Sequence, residues 1–366
     1  MAPFKLIRFK QLRSDRIGHF AYEPDIYLLE KKIGLYNKNT LDIFYYQRNI
    51  SNQQLKKMWS RRLPFVSKLV LPLDRANKLL PMGQRHTVPL CDNRHEDPLC
   101  LQDKYAPEVS FTKQEEKLGK EGLRLMGINP DDEFICFHSR DVKYLSSGFG
   151  NGDFTYHDYR NSSIHNYVPA AKSMVYKGYY AIRMGSNTEE VLVTKEEKII
   201  DYANKFHNDF MDIYLPANCQ FFLGTCSGPN ALATLFRKPY ACANTAPFLG
   251  MHQFRDTDIF IPKKYWLISE NRLMTFNEII STGAGNYFEG DKFTEAGIKL
   301  IENSDEEINE LANEMEDRIK GKWQSDKEDK EIHKKYISIL EKNALKGKRL
   351  PKIATSFLRK YRNLLD

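Results

Sequence analysis

Short apolar runs alternate along the chain with longer stretches whose apolar positions recur at helical spacing. Residues 4–9 (FKLIRF), 41–46 (LDIFYY) and 69–73 read as strands, with helices over 53–62 and 74–80. A capped helix is expected at 112–126, with Thr112 and Glu115 three residues apart at its start and Gly127 after its end. Residues 134–137 (FICF), 179–184 (YYAIRM) and 221–223 are fully apolar or nearly so, which suits strands covered on both faces. A helix over 167–177 separates the first two. Segment 210–215 fits a strand or a short helix. Strand–helix alternation of this kind predicts an α/β fold on parallel sheet. Residues 82–110 break the pattern with polar and turn residues and prolines at 89, 98 and 107, and predict a long loop. Past residue 300, segments 305–320, 327–345 and 353–365 are charged, amphipathic helices.

The stretch that organises the rest is 220–239, QFFLGTCSGPNALATLFRKP. An apolar run stops at Gly224, Thr225, Cys226, Ser227, Gly228 and Pro229, and a helix-forming segment follows. A strand, a tight turn of small residues and a helix leave backbone N–H groups unpaired where the helix dipole is positive. A diphosphate suits that place. An ordinary βα turn with no ligand is an equal reading of the turn alone, since the glycines match neither GxGxxG nor a P-loop.

Three further features point to the same sheet edge. His138, Ser139, Arg140 and Asp141 follow an apolar strand directly, and Arg140 can grip a phosphate bidentately. A solvated strand end is the bland alternative. Arg160 lies in the Gly/Ser-rich segment 146–166, which suits either a loop closing over a ligand or a plain surface loop. Arg183 sits near the end of an apolar strand and needs an acid or phosphate partner if buried. Asn244, after the strand in 241–250, is positioned to touch a base or ribose.

FLGTCSGPNALATLFRKP resembles the segment of two-domain GT-B glycosyltransferases in which a small-residue turn opens a helix of the nucleotide-sugar domain. Residues 134–185 resemble the opening half of the same domain. Over about residues 4–300 the chain is similar to a bacterial family of GT-B glycosyltransferases associated with surface-polysaccharide loci. The resemblance implies two Rossmann-like domains facing a cleft, at 1–128 on the acceptor side and 129–300 for the nucleotide sugar. A charged helical tail, 301–366, would follow and pack back onto the first domain. It implies a nucleotide-sugar donor held by His138, Arg140, Arg160, Arg183, Gly224, Thr225, Ser227, Gly228, Pro229 and Asn244. The acceptor would be a glycan or a lipid-linked sugar. GT-B enzymes often carry a Gly-His element in the first βα loop, so Gly18-His19 makes His19 the first candidate for the catalytic base, with Asp158 the second. Neither cofactor nor metal is implied, the nucleotide sugar being a co-substrate. His138-Ser139-Arg140 also resembles the H-x-R element of fucosyltransferases. There an acidic residue comes further on, whereas here Asp141 follows at once, so GDP-fucose is one donor among several.

Composition narrows the classes. With 41% hydrophobic and 12% aromatic residues the chain has material for real cores, which excludes a disordered protein. No run is long enough for a membrane span and the N-terminus lacks an apolar signal core, which predicts a cytoplasmic protein. None of the six cysteines forms a CxxC pair, and Cys91 and Cys100 beside His86 and His95 match no standard zinc spacing. Residues 321–366 hold 13 Lys/Arg against 6 Asp/Glu, so the whole net charge of +7 lies in the tail. A basic tail of this kind is a candidate contact to the inner face of a membrane. Nucleic acid is not expected as a partner, because the body is neutral and lacks an aromatic RNA-binding motif. A sugar-nucleotide epimerase of the same fold and a non-catalytic nucleotide-sugar-binding module remain the competing readings.

Overall fold

The computed structural model describes residues 5–37, 39–65, 70–90, 97–140, 155–186, 188, 190–251, 255–343 and 349–366. The expectations placed on Cys91, His95, Asp141 and segment 146–154 fall outside them.

The first half opens with β1 (Leu6–Leu12), α1 (Ile17–Lys32) and β2 (Thr40–Tyr46), a βαβ unit whose strands pair in parallel from Leu6↔Thr40 to Leu12↔Tyr46. Single parallel bridges at Phe9↔Thr87 and Phe44↔Phe65 extend it on either side. Pro24 lies inside α1 and has no N–H for the Phe20 carbonyl. The indole of Trp59, on α2 (Gln53–Ser60), donates to that carbonyl instead, at 2.8 Å, so the break in the helix ladder becomes a tie between two helices. The expected strand over 69–73 is not formed. The segment starts α3 (Leu71–Leu79) with Pro72 in its first turn, where a missing N–H costs nothing, and Leu73 is 62% exposed rather than buried in a sheet. The capped helix at 112–126 is α4 (Lys113–Leu125), with both halves of a Thr112–Glu115 capping box formed.

The second half holds β3 (Phe134–His138), α5 (Val168–Tyr176), β4 (Tyr180–Arg183), β5 (Ile199–Ile200), α6 (Asp209–Asn218), β6 (Phe222–Gly224), α7 (Asn230–Leu235), β7 (Tyr240–Thr245) and β8 (Ile259–Pro262). The six strands form one sheet in the order β5-β4-β3-β6-β7-β8, with every pairing parallel. Counted from β3 this is the doubly wound order 3-2-1-4-5-6, whose direction reverses between β3 and β6. Segment 210–215 is helical, within α6, because Asn208 caps it by accepting from the Met211 N–H.

The halves share apolar cores. Phe20, Phe44, Leu55 and Trp59 pack with Ile213 of α6 and with Leu232 and Leu235 of α7. Gly18 of α1 and Gly228 meet at this seam. A β-carbon on Gly18 would sit 3.3 Å from the Gly228 Cα, and one on Gly228 would sit 2.8 Å from the Ile17 Cγ2. Arg237 adds an ion pair to the buried Asp25 of α1 at 2.9 Å.

The tail differs from the expectation. Helices α8 (Asp305–Ile319), α9 (Lys327–Asn343) and α10 (Thr355–Lys360) send Leu311, Tyr336, Leu340, Phe357 and Leu358 into the core of the second half. Residues 352–354 lie along the edge of β8, with the Phe260 N–H donating to the Lys352 carbonyl at 3.0 Å and the Ala354 N–H to the Phe260 carbonyl at 2.9 Å. The tail reaches the first half through an Arg349–Asp103 ion pair. Its buried apolar side chains among the described residues join the core of the half it follows in the chain.

Candidate functional site

A cavity of about 390 Å³ lies between the two halves, within the range of small-molecule sites, about 300–1,000 Å³. The second half lines it with His138, Arg140, Met184, Gly185, Cys226, Ser227, Gly228 and Pro229, all at the carboxyl ends of β3, β4 and β6. That is the switch-point crevice the strand order creates. The first half contributes Arg16, Ile17, Gly18, His19 and Tyr22 from the start of α1, together with Ser51.

Strands β3 and β6 are locked where they feed the cavity. The Thr225 N–H donates to the His138 carbonyl at 3.3 Å, and the Arg140 N–H donates to the Thr225 hydroxyl at 3.0 Å. Gly224 is required here, because a β-carbon would lie 2.6 Å from the His138 carbonyl oxygen, a backbone atom that cannot turn aside. Gly224→Ala is therefore expected to destabilise the protein by about 1–3 kcal/mol, the usual cost of overpacking. Urea denaturation checks this.

Arg140 and Arg160 stand together. The Ser162 N–H donates to the Arg140 carbonyl at 3.1 Å, which holds the Arg160 segment against β3, and the Arg160 guanidinium donates to the Cys226 carbonyl. Arg140 is half-buried and makes no ion pair or side-chain hydrogen bond among the described residues. Burial first, and the charge of Arg160 second, push its pKa down to about 10. The Ser227 and Ser51 hydroxyls are buried beside the cavity without hydrogen-bond partners among the described residues. The first turn of the 16-residue α1 faces the cavity, and its N-cap Arg16 supplies no side-chain cap. The arrangement presents two guanidinium groups, hydroxyls and uncapped helix amides to one space, which is chemistry for an anion.

Two histidines paired with carboxylates line the same cavity. His19 Nδ1 lies 3.0 Å from Glu23 Oε1, and Glu23 is buried and paired with Arg13. On the other wall His207 Nε2 lies 3.0 Å from Asp212 Oδ2, while the Tyr202 hydroxyl donates to Asp212 Oδ1 at 2.9 Å. The hydrogen bond and charge of Asp212 raise the His207 pKa, and burial offsets this only in part. A raised pKa stabilises the fold fully below the unfolded value, about 6.5, and the contribution disappears as pH rises through the folded value. His207→Gln is thus expected to lower the melting temperature more near pH 5.5 than near pH 8.5, which melting curves at the two pH values check.

Several expected site residues are placed otherwise. Arg183 is 2% exposed, lies 3.6 Å from Asp201 and donates to the Glu190 carbonyl at 2.7 Å. Its acid partner is a carboxylate of its own chain, and it does not line the cavity. Asn244 is buried and spends its groups within the fold: its N–H and its Oδ1 bond Asn303, and its Nδ2 donates to the Tyr167 hydroxyl. It ties β7 to the start of α8 and does not line the cavity. Gly224 and Thr225 act one layer behind the lining, by fixing strand ends. Asp158 is exposed, accepts from Asn161 at 2.9 Å and is not a lining residue. The turn amide of Ser227 already donates to Asn230 Oδ1 at 3.1 Å, so fewer turn N–H groups are open than the sequence suggests. His207 and Asp212 were missed. Their signal is a histidine just before an N-cap and an acid in the first turn that follows, in HNDFMD.

Among the described residues no group of three or more His, Cys, Asp or Glu side chains is arranged to hold a metal ion, and no helix is long and apolar enough to cross a membrane. No protein-family model matches the sequence, and no curated protein does. Solved structures with a similar course of chain include a family 9 glycosyl transferase from Veillonella parvula, at TM-score 0.45 and 10% identity over 71% of this chain and 87% of that one. The E. coli ADP-heptose LPS heptosyltransferase II matches at TM-score 0.42 and 13% identity, over 70% of this chain and 90% of that one. The iron-containing dodecameric glycosyltransferase TibC of enterotoxigenic E. coli matches at TM-score 0.38 and 9% identity, over 70% and 63%. At these scores the likeness establishes neither family nor activity, and the reading of the site rests on its own residues.

Proposed function

We propose that this protein is a GT-B-type glycosyltransferase that moves a sugar from a nucleotide-sugar donor to a hydroxyl of a glycan or lipid-linked acceptor without a metal. The observation that carries the reading is Arg140, a half-buried cation at the switch-point edge that makes no ion pair among the described residues. The donor diphosphate sits between the Arg140 and Arg160 guanidinium groups, near the first-turn amides of α1 and the Ser227 hydroxyl. As the bond from the sugar C1 to the phosphate oxygen breaks, its electron pair moves to that oxygen, and the two cations stabilise the charge where it grows. The acceptor oxygen forms the new bond to C1. Its proton goes to Nε2 of His19, whose Nδ1 is held by Glu23.

Calorimetric titration with UDP-, GDP-, ADP-, dTDP- and CMP-sugars tests the reading. Binding of one diphosphate class, with much weaker binding of a monophosphate-linked sugar, supports it. No binding at millimolar concentration, or turnover of the donor to an isomeric nucleotide sugar with no acceptor present, overturns it.

A further inference from the structure

The helix α3 and the turn after it form the most exposed apolar feature of the first half. Leu73 is 62% exposed, Leu79 87%, Leu80 62% and Met82 65%. Single exposed leucines are ordinary on a protein surface. Four such side chains within ten consecutive residues are not.

The feature is built rather than frayed. Asn77 Nδ2 donates to the Gly83 carbonyl at 2.9 Å, and the Gly83 N–H donates to the Leu80 carbonyl at 3.0 Å. A β-carbon on Gly83 would fall 1.8 Å from the Asn77 carbonyl oxygen, so the turn is folded back tightly on the helix end. Met82 takes a left-handed conformation, φ 66°, to make that return. The chain thus spends a close backbone contact and an unfavourable φ, and the apolar side chains of the turn remain outside.

The charges are arranged on one side of the balance. Between residues 71 and 86 the sole acid, Asp74, is buried and bonded to the Tyr45 hydroxyl at 2.6 Å and to Lys78 at 2.9 Å. Arg75 and Arg85 are exposed beside the leucines. An outward stretch of leucine, methionine and arginine, with no exposed acid between residues 71 and 86, complements an apolar layer topped by negative headgroups. Among its described residues the C-terminal tail lacks this combination, because Ile337 alone of its large apolar side chains is exposed and Arg359 and Arg362 are paired with Asp329 and Glu328.

We propose that α3 and residues 80–85 dock the protein on the surface of an anionic lipid bilayer, with Leu79, Leu80 and Met82 entering the headgroup boundary and Arg75 and Arg85 meeting the phosphates. The proposal stands apart from the reaction assigned above, since no residue of the cavity takes part in it.

Vesicle flotation with the full chain tests it, comparing phosphatidylcholine containing phosphatidylglycerol with phosphatidylcholine alone. The test variant combines Leu79→Gln, Leu80→Gln and Met82→Asn, the last chosen because asparagine accepts the left-handed conformation. The wild type is expected to float with the anionic vesicles only. The triple variant is expected to lose about tenfold or more of that partitioning with an unchanged melting temperature, and Arg75→Glu with Arg85→Glu to remove its salt sensitivity. Failure of the wild type to float, or equal flotation of the triple variant, overturns the proposal. So does loss of flotation on Lys334→Glu with Lys342→Glu, which puts the contact on the tail. Light scattering that shows a wild-type dimer split by the triple variant overturns it as well, by naming a second copy as the occupant.

Discussion

Arg140→Ala will raise the melting temperature of the unliganded protein and remove its response to nucleotide sugars. The two effects share one cause. A half-buried guanidinium with another beside it and no ion-paired acid among the described residues is held at an electrostatic cost, visible in a pKa pushed down to about 10. Removing it relieves that cost, by about 1 kcal/mol once solvent screening is allowed for. The same removal takes away hydrogen bonds to a charged ligand worth ~1.5–3 kcal/mol, a loss of roughly ten- to a hundredfold or more in affinity. Arg140→Lys keeps the charge and loses the planar fork, so it should recover little affinity if the ligand is gripped bidentately. Stability that falls on Arg140→Ala, with ligand response intact, would mean that the arginine serves the fold and the anion reading is mistaken. Melting curves with and without ligand decide.

The parts of this site legible in the sequence are those in which chemistry follows directly on a strand. FICF runs into His138 and Arg140, and FFLG runs into the small-residue turn, so local pattern alone puts both at a sheet edge. That these two strands are neighbours was not legible, because pairing of β3 with β6 joins segments more than eighty residues apart. Separation along the chain, though shorter, also hides the partners of Arg183 and Asn244. Asp201 meets Arg183 across the parallel strands β4 and β5, and Asn303 meets Asn244 only when α8 docks on β7. A polar residue at a strand end looks alike in sequence whether it faces a ligand or closes an internal hydrogen-bond circuit. The small-residue turn carries a similar ambiguity. Its Gly228 reads as room for a phosphate, yet in the fold it admits the start of α1, with Ile17 packed against it. Gly228→Val therefore probes the seam between the halves as well as the ligand, and Arg140 is the cleaner reporter.

His19→Ala is expected to lower kcat by about 10²–10⁴, the range for loss of a positioned general base, while the donor KM moves little. The argument is one of placement. His19 is in the first turn of α1, it lines the cavity opposite the arginines of the second half, and its Nδ1 is held 3.0 Å from a buried carboxylate. That contact fixes the ring, and Nε2 is the nitrogen proposed to take the acceptor proton. Glu23→Gln should then give a smaller loss in kcat, since it keeps the packing and removes the charge that stabilises the imidazolium. Asp158→Asn should leave kcat unchanged, because an exposed carboxylate bonded to Asn161 outside the cavity lining has no part in proton transfer. His207→Gln separates the two histidine pairs. If it is severe while His19→Ala turns out mild, the base sits on the second half and the acceptor enters from the side of α6. If only His19→Ala is severe, the proton leaves toward the first half, and the two halves divide the reaction, one stabilising the leaving diphosphate and the other activating the incoming hydroxyl.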